Sequence, residues 1–265
     1  MPFTGSHPAA VLPFARSAMP LSALAVGSMA PDLPLYAPMP YTTRLSHHLV
    51  GVVTVDVLAG LVGYVVWIAL LRPLVVAYAP SAVGRRVRPA PAAGPGWVVA
   101  ALGVGALTHV LWDGFTHGGG WGTRLVPALD ERIGALPAHE WAQYASSLIG
   151  AAAICWWAAR RWRTATEVGD PQRPAAERLV PSRPLAAALV SVGVLAGAAL
   201  GFRYGVAQPD PVRSAIFHVA VRGTDVGLVI TLCIALIHRR AARRHQAGSD
   251  RRSGRRGGLG PRRAD

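Results

Sequence analysis

The chain has 265 residues, of which 52% are hydrophobic and only 15% charged, and its mean hydropathy is +0.33. With several long apolar runs, this sets it apart from an ordinary soluble globule and points to a small polytopic membrane protein. All 27 basic residues are Arg, against 13 acidic ones, for a formal charge of +14.

The N-terminal region, 1–48, is the hardest to place. Residues 9–30 are apolar but interrupted by Pro13, Arg16 and Pro20. That pattern lacks the basic start and unbroken core of a cleavable signal. It reads as an interfacial or re-entrant helix, with a sixth crossing as the alternative. Leu49–Leu71 is the clearest span, apolar except for Thr54 and Asp56, with Arg72-Pro73 expected to close it. Trp97–Trp112 is the second run and needs the following residues to reach full length. Tyr144–Ala159 is the third. Leu185–Phe202 is the fourth, with Gly193, Gly197 and Gly201 spaced for close helix approach. Val212–Ile237 is the fifth, its first half weakened by Arg213, His218, Arg222 and Asp225. Arg222 and Asp225, three residues apart, read as a helix-stabilising pair. The fold class is thus all-α: a polytopic helical membrane bundle of about five transmembrane helices in one domain, 1–237.

Residues 238–265 carry ten Arg and two Asp. This Arg-rich tail reads as disordered, cytoplasmic and bound to anionic lipid headgroups. No nucleic-acid recognition module precedes it, so nucleic acid is a poor partner. The loops after the first and third spans are also Arg-rich, whereas 117–143 holds only Arg124 and Arg132. The bias puts the C-terminus inside a cell membrane. It also puts the start of the first span and the end of the second on the extracytoplasmic face. Cys155 and Cys233 lie within apolar runs, read as core residues, and imply neither a disulfide framework nor a zinc–thiolate site.

That placement gathers the residues able to do chemistry. His109, Asp113 and His117 stand four apart, one helical turn per step, at the end of an apolar helix. Imidazole nitrogen with carboxylate oxygen suits Zn, Mn or Fe; a hydrogen-bonded pair at a helix end is the alternative. His47 and His48 point about 100° apart on a helix, so at most one faces a given site, and Ser46 is a candidate cap. Asp32 sits in Pro31-Asp-Leu-Pro34, a stiffened carboxylate suited to ligand, general base or helix cap. His7, before Pro8, is either part of the site or a loose N-terminal residue. Asp56 lies about a third of the way into the first span and reads as too deep for the same cluster.

Five stretches carry a resemblance: Met1–Ala10, Gly27–Pro34, Leu45–Gly51, Leu107–His117 and Trp141–Gly150. Together they resemble the bacterial domain-of-unknown-function 4184 family of integral membrane proteins. They are more distantly similar to inner-membrane proteins labelled metal-dependent hydrolases, which share an early His, a Pro-Asp turn, a Thr-His-Ser segment and a His-x-x-x-Asp segment. The resemblance implies a divalent metal, Zn above others, on His7, Asp32, His47, His109 and Asp113. This chain has Ser46-His47-His48 where those relatives read Thr-His-Ser, and Thr43 where they carry a further His, which removes one ligand of a two-metal complement.

The expected function is metal-dependent hydrolysis of a lipid or lipid-linked small molecule at the outer interface. Asp32 and Asp113 would serve the reaction beside the ion, and His117 would carry the proton. The alternative is a non-catalytic structural or transport-type protein that binds an ion with the same groups. No organic cofactor is indicated, and the sequence is silent on oligomeric state.

Overall fold

The computed structural model describes residues 3–37, 39–86, 93–166 and 180–257. The chain divides into two compact units: Met1–Trp67 with Arg88–Glu167, and Ile68–Val87 with Val168–Asp265. Helices dominate both, and the one sheet among the described residues is a two-stranded hairpin, Arg132–Ile133 against Leu136–Pro137.

Four helices are long and apolar enough to cross a membrane: Val55–Tyr78, Pro95–Thr116, Arg183–Gly205 and Pro211–Arg244. In the most apolar stretch of Val55–Tyr78 only 11% of residues are buried. Leu58, Val62 and Val65 are exposed along it. An apolar helix that keeps such side chains outside the protein has hydrocarbon as its matching solvent.

In the first unit the N-terminus makes no long helix. A 3-10 stretch, Thr4–Arg16, takes in Pro8 and Pro13. Helix α1, Leu21–Gly27, follows. A 3-10 turn, Ala30–Asp32, and the short helix Leu33–Tyr36 come next. Proline lacks the N–H that a continuous α-helix needs. Hence residues 9–30 fold as short pieces. Val11, Ala23 and Leu24 form a core with Val98, Ala101 and Leu102.

The first expected span is cut at Thr54, whose hydroxyl donates back to the Val50 carbonyl at 2.6 Å. Leu49–Val53 is therefore a separate short helix. The span itself, α2, is Val55–Tyr78. Arg72-Pro73 does not close it. A π-helical turn, Trp67–Leu71, precedes Pro73 and lets the helix continue to Tyr78. Asp56 consequently lies in the first turn of α2 rather than a third of the way in.

Helix α3, Pro95–Thr116, is the scaffold of this unit. Gly27 and Gly105 mark where α1 crosses it. A Cβ on Gly27 would fall onto the Leu102 backbone, and one on Gly105 onto the Leu24 carbonyl and Ser28 nitrogen. Only glycine permits this contact, and it sets Ser28 one turn from His109. Helix α4, Ala138–Thr164, contains the expected third span but is not among the four apolar enough to cross. Gln143, Ser146 and Ser147 dilute its apolar run at one end, and Arg160 and Arg161 end it at the other. It packs on the N-terminal 3-10 stretch, where Phe3 N–H donates to Ser147 Oγ at 3.1 Å.

In the second unit, α5, Arg183–Gly205, pairs with α6, Pro211–Gly257. Gly197 and Gly201 lie against the carbonyls of Arg222 and His218, which realises the small-residue spacing. Arg222 meets Asp225 at 3.2 Å on the same helix, as read. Helix α6 runs to Gly257, so the Arg-rich tail is helical that far rather than disordered; residues 258–265 lie outside the described part. Ala and Arg are strong helix formers and extend a helix already nucleated upstream. Cys155 and Cys233 are exposed, not core. Their helices turn those faces away from the packed interior.

Candidate metal centre

Four elements of the first unit converge at the C-terminal end of α3. The 3-10 turn before Leu33 supplies Asp32, the end of Thr43–Ser46 supplies His47, and α3 supplies His109 and Asp113. The Thr4–Arg16 stretch adds His7. One ligand atom from each of Asp32, His47, His109 and Asp113 lies within 4.8 Å of all the others.

Both histidines have their tautomer set by a backbone carbonyl. His109 Nδ1 donates to the Ser28 carbonyl at 2.7 Å. His47 Nδ1 donates to the Thr43 carbonyl at 3.0 Å. Each ring thus carries its proton on Nδ1 and turns the lone pair of Nε2 inward. The two Nε2 atoms face each other at 3.3 Å. Two facing lone pairs repel unless something electrophilic sits between them.

The carboxylates meet the same centre. His47 Nε2 is 3.5 Å from Asp32 Oδ1 and 3.4 Å from Asp113 Oδ2. His109 Nε2 stands at the same two distances, 3.5 and 3.4 Å. A tetrahedral ion with bonds of about 2.0–2.2 Å requires ligand atoms about 3.3–3.6 Å apart. All five of these pairs fall in that window, and the sixth, between the two carboxylates, lies within 4.8 Å. They are too long to be good hydrogen bonds, and Asp32 Oδ1 and both Asp113 oxygens are buried with no hydrogen-bond partner. Such orphaned acceptors are costly in a protein interior, and a cation among the four ligand atoms would satisfy Asp32 Oδ1 and Asp113 Oδ2 together.

The supporting contacts come from residues with no site role legible in the sequence, Ser46 having read as a cap and Thr43 as a lost ligand. Thr4 Oγ1 donates to Asp32 Oδ2, and Tyr36 donates to Thr4 at 2.9 Å, which leaves Oδ1 free. Ser46 Oγ donates to the Pro31 carbonyl at 2.7 Å and ties the two loops together. Thr4, Ser28, Tyr36 and Thr43 are ordinary polar residues whose spacing carries no signal. Their roles arise only from tertiary contact.

Burial pushes the His7 imidazole down to about 4, with His109 adding to the effect. Burial acts against the charge on Asp32, yet the adjoining His109 and His47 imidazoles outweigh it and hold the carboxyl well below the ordinary range. Burial also opposes the charge on His47, but Asp113 and Asp32 raise it to about 9. In the metal-free chain the paired carboxylates therefore retain a proton on His47, at the place a cation would take.

His7 reaches the cluster but stands outside the four-ligand group. Its ring lies flat on His109, with centroids 3.7 Å apart. Its Nε2 is 3.6 Å from Asp113 Oδ1 and has no hydrogen-bond partner. His117 is at the rim, its side chain 34% exposed. Its Nδ1 donates to the Asp113 carbonyl at 3.1 Å. Its Nε2 meets Gln143 of α4 at 3.4 Å, and burial lowers its basicity. Asp56 is fully buried, outside the four-ligand group, and neither of its oxygens has a hydrogen-bond partner.

Adjacent His47 and His48 part company as their angular separation requires. His48 turns away and caps Leu49–Val53, accepting from Val50 N–H at 3.4 Å. The cap is His48 rather than Ser46, whose hydroxyl serves the Pro31 loop. The neighbours therefore make a matched control. His48→Ala should retain bound metal in full and cost no more than about 1 kcal/mol of stability. Elemental analysis and thermal denaturation of the detergent-purified protein check this, with His47→Ala losing metal alongside.

A family model described as "Domain of unknown function (DUF4184)" matches residues 1–238. Neither a curated protein nor a solved structure matches the chain.

Proposed function

Because the chain belongs to the DUF4184 family, whose description assigns no activity, function has to be read from the site, and we propose an integral membrane protein that uses a bound divalent metal to hydrolyse a lipid or lipid-linked ester. The observation that carries this reading is the pair of Nε2 atoms turned toward each other at 3.3 Å, flanked by unpartnered carboxylate oxygens. Zn is the metal of choice. Its tetrahedral sites match the 3.3–3.5 Å spacing, whereas Mg at about 2.0–2.1 Å in octahedral geometry draws neighbouring ligands to about 3.0 Å. Such an ion activates water and polarises a phosphoryl or acyl oxygen.

The chain's own residues divide the rest of the work. Asp32 and Asp113 would hold the negative charge that retains the ion, and water would have to join the four side chains as a fifth ligand. His7, neutral and stacked on His109, closes the inner wall against water. The open side is the rim, where His47 and His117 have side chains 23% and 34% exposed. His117 is neutral near pH 7, with Nδ1–H fixed to the Asp113 carbonyl, so its Nε2 is the atom that accepts and returns a proton. The rim lies at the end of the α3 span, at interfacial depth, where a headgroup can enter while its chains stay in the bilayer. The Arg-poor 117–143 loop supports an extracytoplasmic rim and the Arg-rich C-terminus a cytoplasmic end against anionic lipid, an arrangement that requires α4 to cross as well.

The test is a panel of phosphate and acyl esters of membrane lipids, presented to the metal-loaded protein in nanodiscs, with release of phosphate or fatty acid as readout. His117→Gln should keep metal and melting temperature while losing about 100-fold or more in turnover. Metal bound tightly by wild type, with no metal-dependent release from any ester, would favour the structural-ion reading over catalysis.

A further inference from the structure

The other end of the first unit holds a second feature, independent of the metal centre. A cavity of about 1010 Å³ opens between the Thr4–Arg16 stretch, the start of α3 and the end of α4. Arg16, Arg160, Arg161, Trp97, Trp156 and Trp157 line it, and among the described residues no Asp or Glu does. From the α3 residue in its wall, Trp97, to Asp113 is sixteen residues, or about 24 Å along the helix. The cavity and the metal centre therefore lie near opposite ends of one membrane-length helix.

The chemistry of the lining is specific. Arg160 stacks on Trp156, with Cζ 5.7 Å from the ring centroid, and Arg161 stacks on Trp157 at 5.9 Å. Stacking holds a guanidinium by its face and leaves its N–H edge free for an oxyanion. Arg16 adds a third cation to the lining, from the Thr4–Arg16 stretch. Among the described lining residues these three cations meet no carboxylate, and the bidentate match of guanidinium to phosphate fits a phosphate oxyanion between them. The surrounding wall is apolar and aromatic, with Trp97 and Trp156 more than half exposed at 53% and 63%. Trp97 is in the first turn of a span, which is interfacial depth, where indole rings sit against lipid.

We propose that this cavity binds the phosphate of an anionic phospholipid from the leaflet opposite the metal centre. The phosphate lies between Arg16, Arg160 and Arg161, and the upper acyl chain runs along Trp97. A soluble phosphate compound shares the anionic chemistry but makes no use of the apolar wall.

The full chain is reconstituted in nanodiscs of phosphatidylcholine, to which phosphatidylglycerol or more phosphatidylcholine is added, each with brominated acyl chains. Bromine quenches nearby tryptophan, and the part of the quenching removed by Trp97→Phe reports the cavity. The expected result is stronger Trp97 quenching by brominated phosphatidylglycerol. The preference should fall about fivefold for each Arg→Gln change at 16, 160 or 161 and survive in the matching Arg→Lys variants. Equal quenching by both lipids, or a preference untouched by the triple Arg→Gln variant, overturns the proposal. Loss of the preference on adding inorganic phosphate or glycerol phosphate overturns the lipid as the source and assigns the cavity to a soluble phosphate compound. An unchanged melting temperature in the triple variant shows that the fold is intact.

Discussion

Asp113→Ala is expected to abolish metal binding, lowering affinity by more than the roughly 100-fold typical of losing a supporting residue. Asp113 is the hub of the cluster. Its Oδ2 stands 3.4 Å from the Nε2 atoms of both His47 and His109, its Oδ1 faces His7, and its main-chain carbonyl fixes His117. Elemental analysis of the detergent-purified protein should show metal in wild type and none in the variant. His109→Ala should match it, because that ring supplies the other α3 ligand. The pH dependence has a definite sign. His47 is held up at about 9 in the metal-free protein, so metal taken up at neutral pH must expel its proton. Affinity should therefore rise with pH up to about 9 and fall on acidification, with proton release measurable by an indicator dye in weak buffer. Full metal retention in Asp113→Ala, or uptake without proton release at neutral pH, would refute the assigned ligand set.

Gly105→Leu is expected to be the most damaging change outside the ligands themselves. The side chain would enter the backbone of Leu24 and Ser28, and backbone cannot swing aside as a side-chain tip can. Forcing α1 away from α3 should cost about 3 kcal/mol or more. It should also displace the Ser28 carbonyl that sets the His109 tautomer. Stability and metal should therefore be lost together. Gly60→Ala is the comparison: its new methyl meets mainly the Leu102 Cδ2 tip at 3.0 Å, which can rotate, so the loss should be small and metal should remain. Thermal denaturation with parallel metal analysis separates the two. A Gly105→Leu protein with wild-type melting temperature would contradict the tight α1–α3 crossing.

The site was partly legible because two of its ligands share a helix. The four-residue step from His109 to Asp113 is local information, and a helix turns it directly into one stripe of ligands. Asp32 and His47 carried weaker signals, a proline-stiffened turn and an adjacent pair of imidazoles. Residue spacing could not say which histidine of the pair faced inward, and the break at Thr54 and the cap on Val50 N–H decided it. The span starting at Leu49 was misjudged for a related reason. A run of apolar residues reports affinity for hydrocarbon, but it does not report a hydroxyl that bends the helix by bonding its own backbone. The continuation past Pro73 needed a π turn that composition does not announce.

Apolar runs, Arg placement and helical spacing belong to the sequence, since each depends on neighbours a few residues away. They were enough for an all-helical bundle with membrane-length helices and for one half of a ligand set. The tautomers, the stacked His7 ring, the orphaned carboxylates and the arginine–tryptophan cavity exist only once α1, α3 and α4 are packed. They depend on backbone carbonyls and close crossings between segments up to 150 residues apart, and no local pattern encodes which carbonyl will meet which ring.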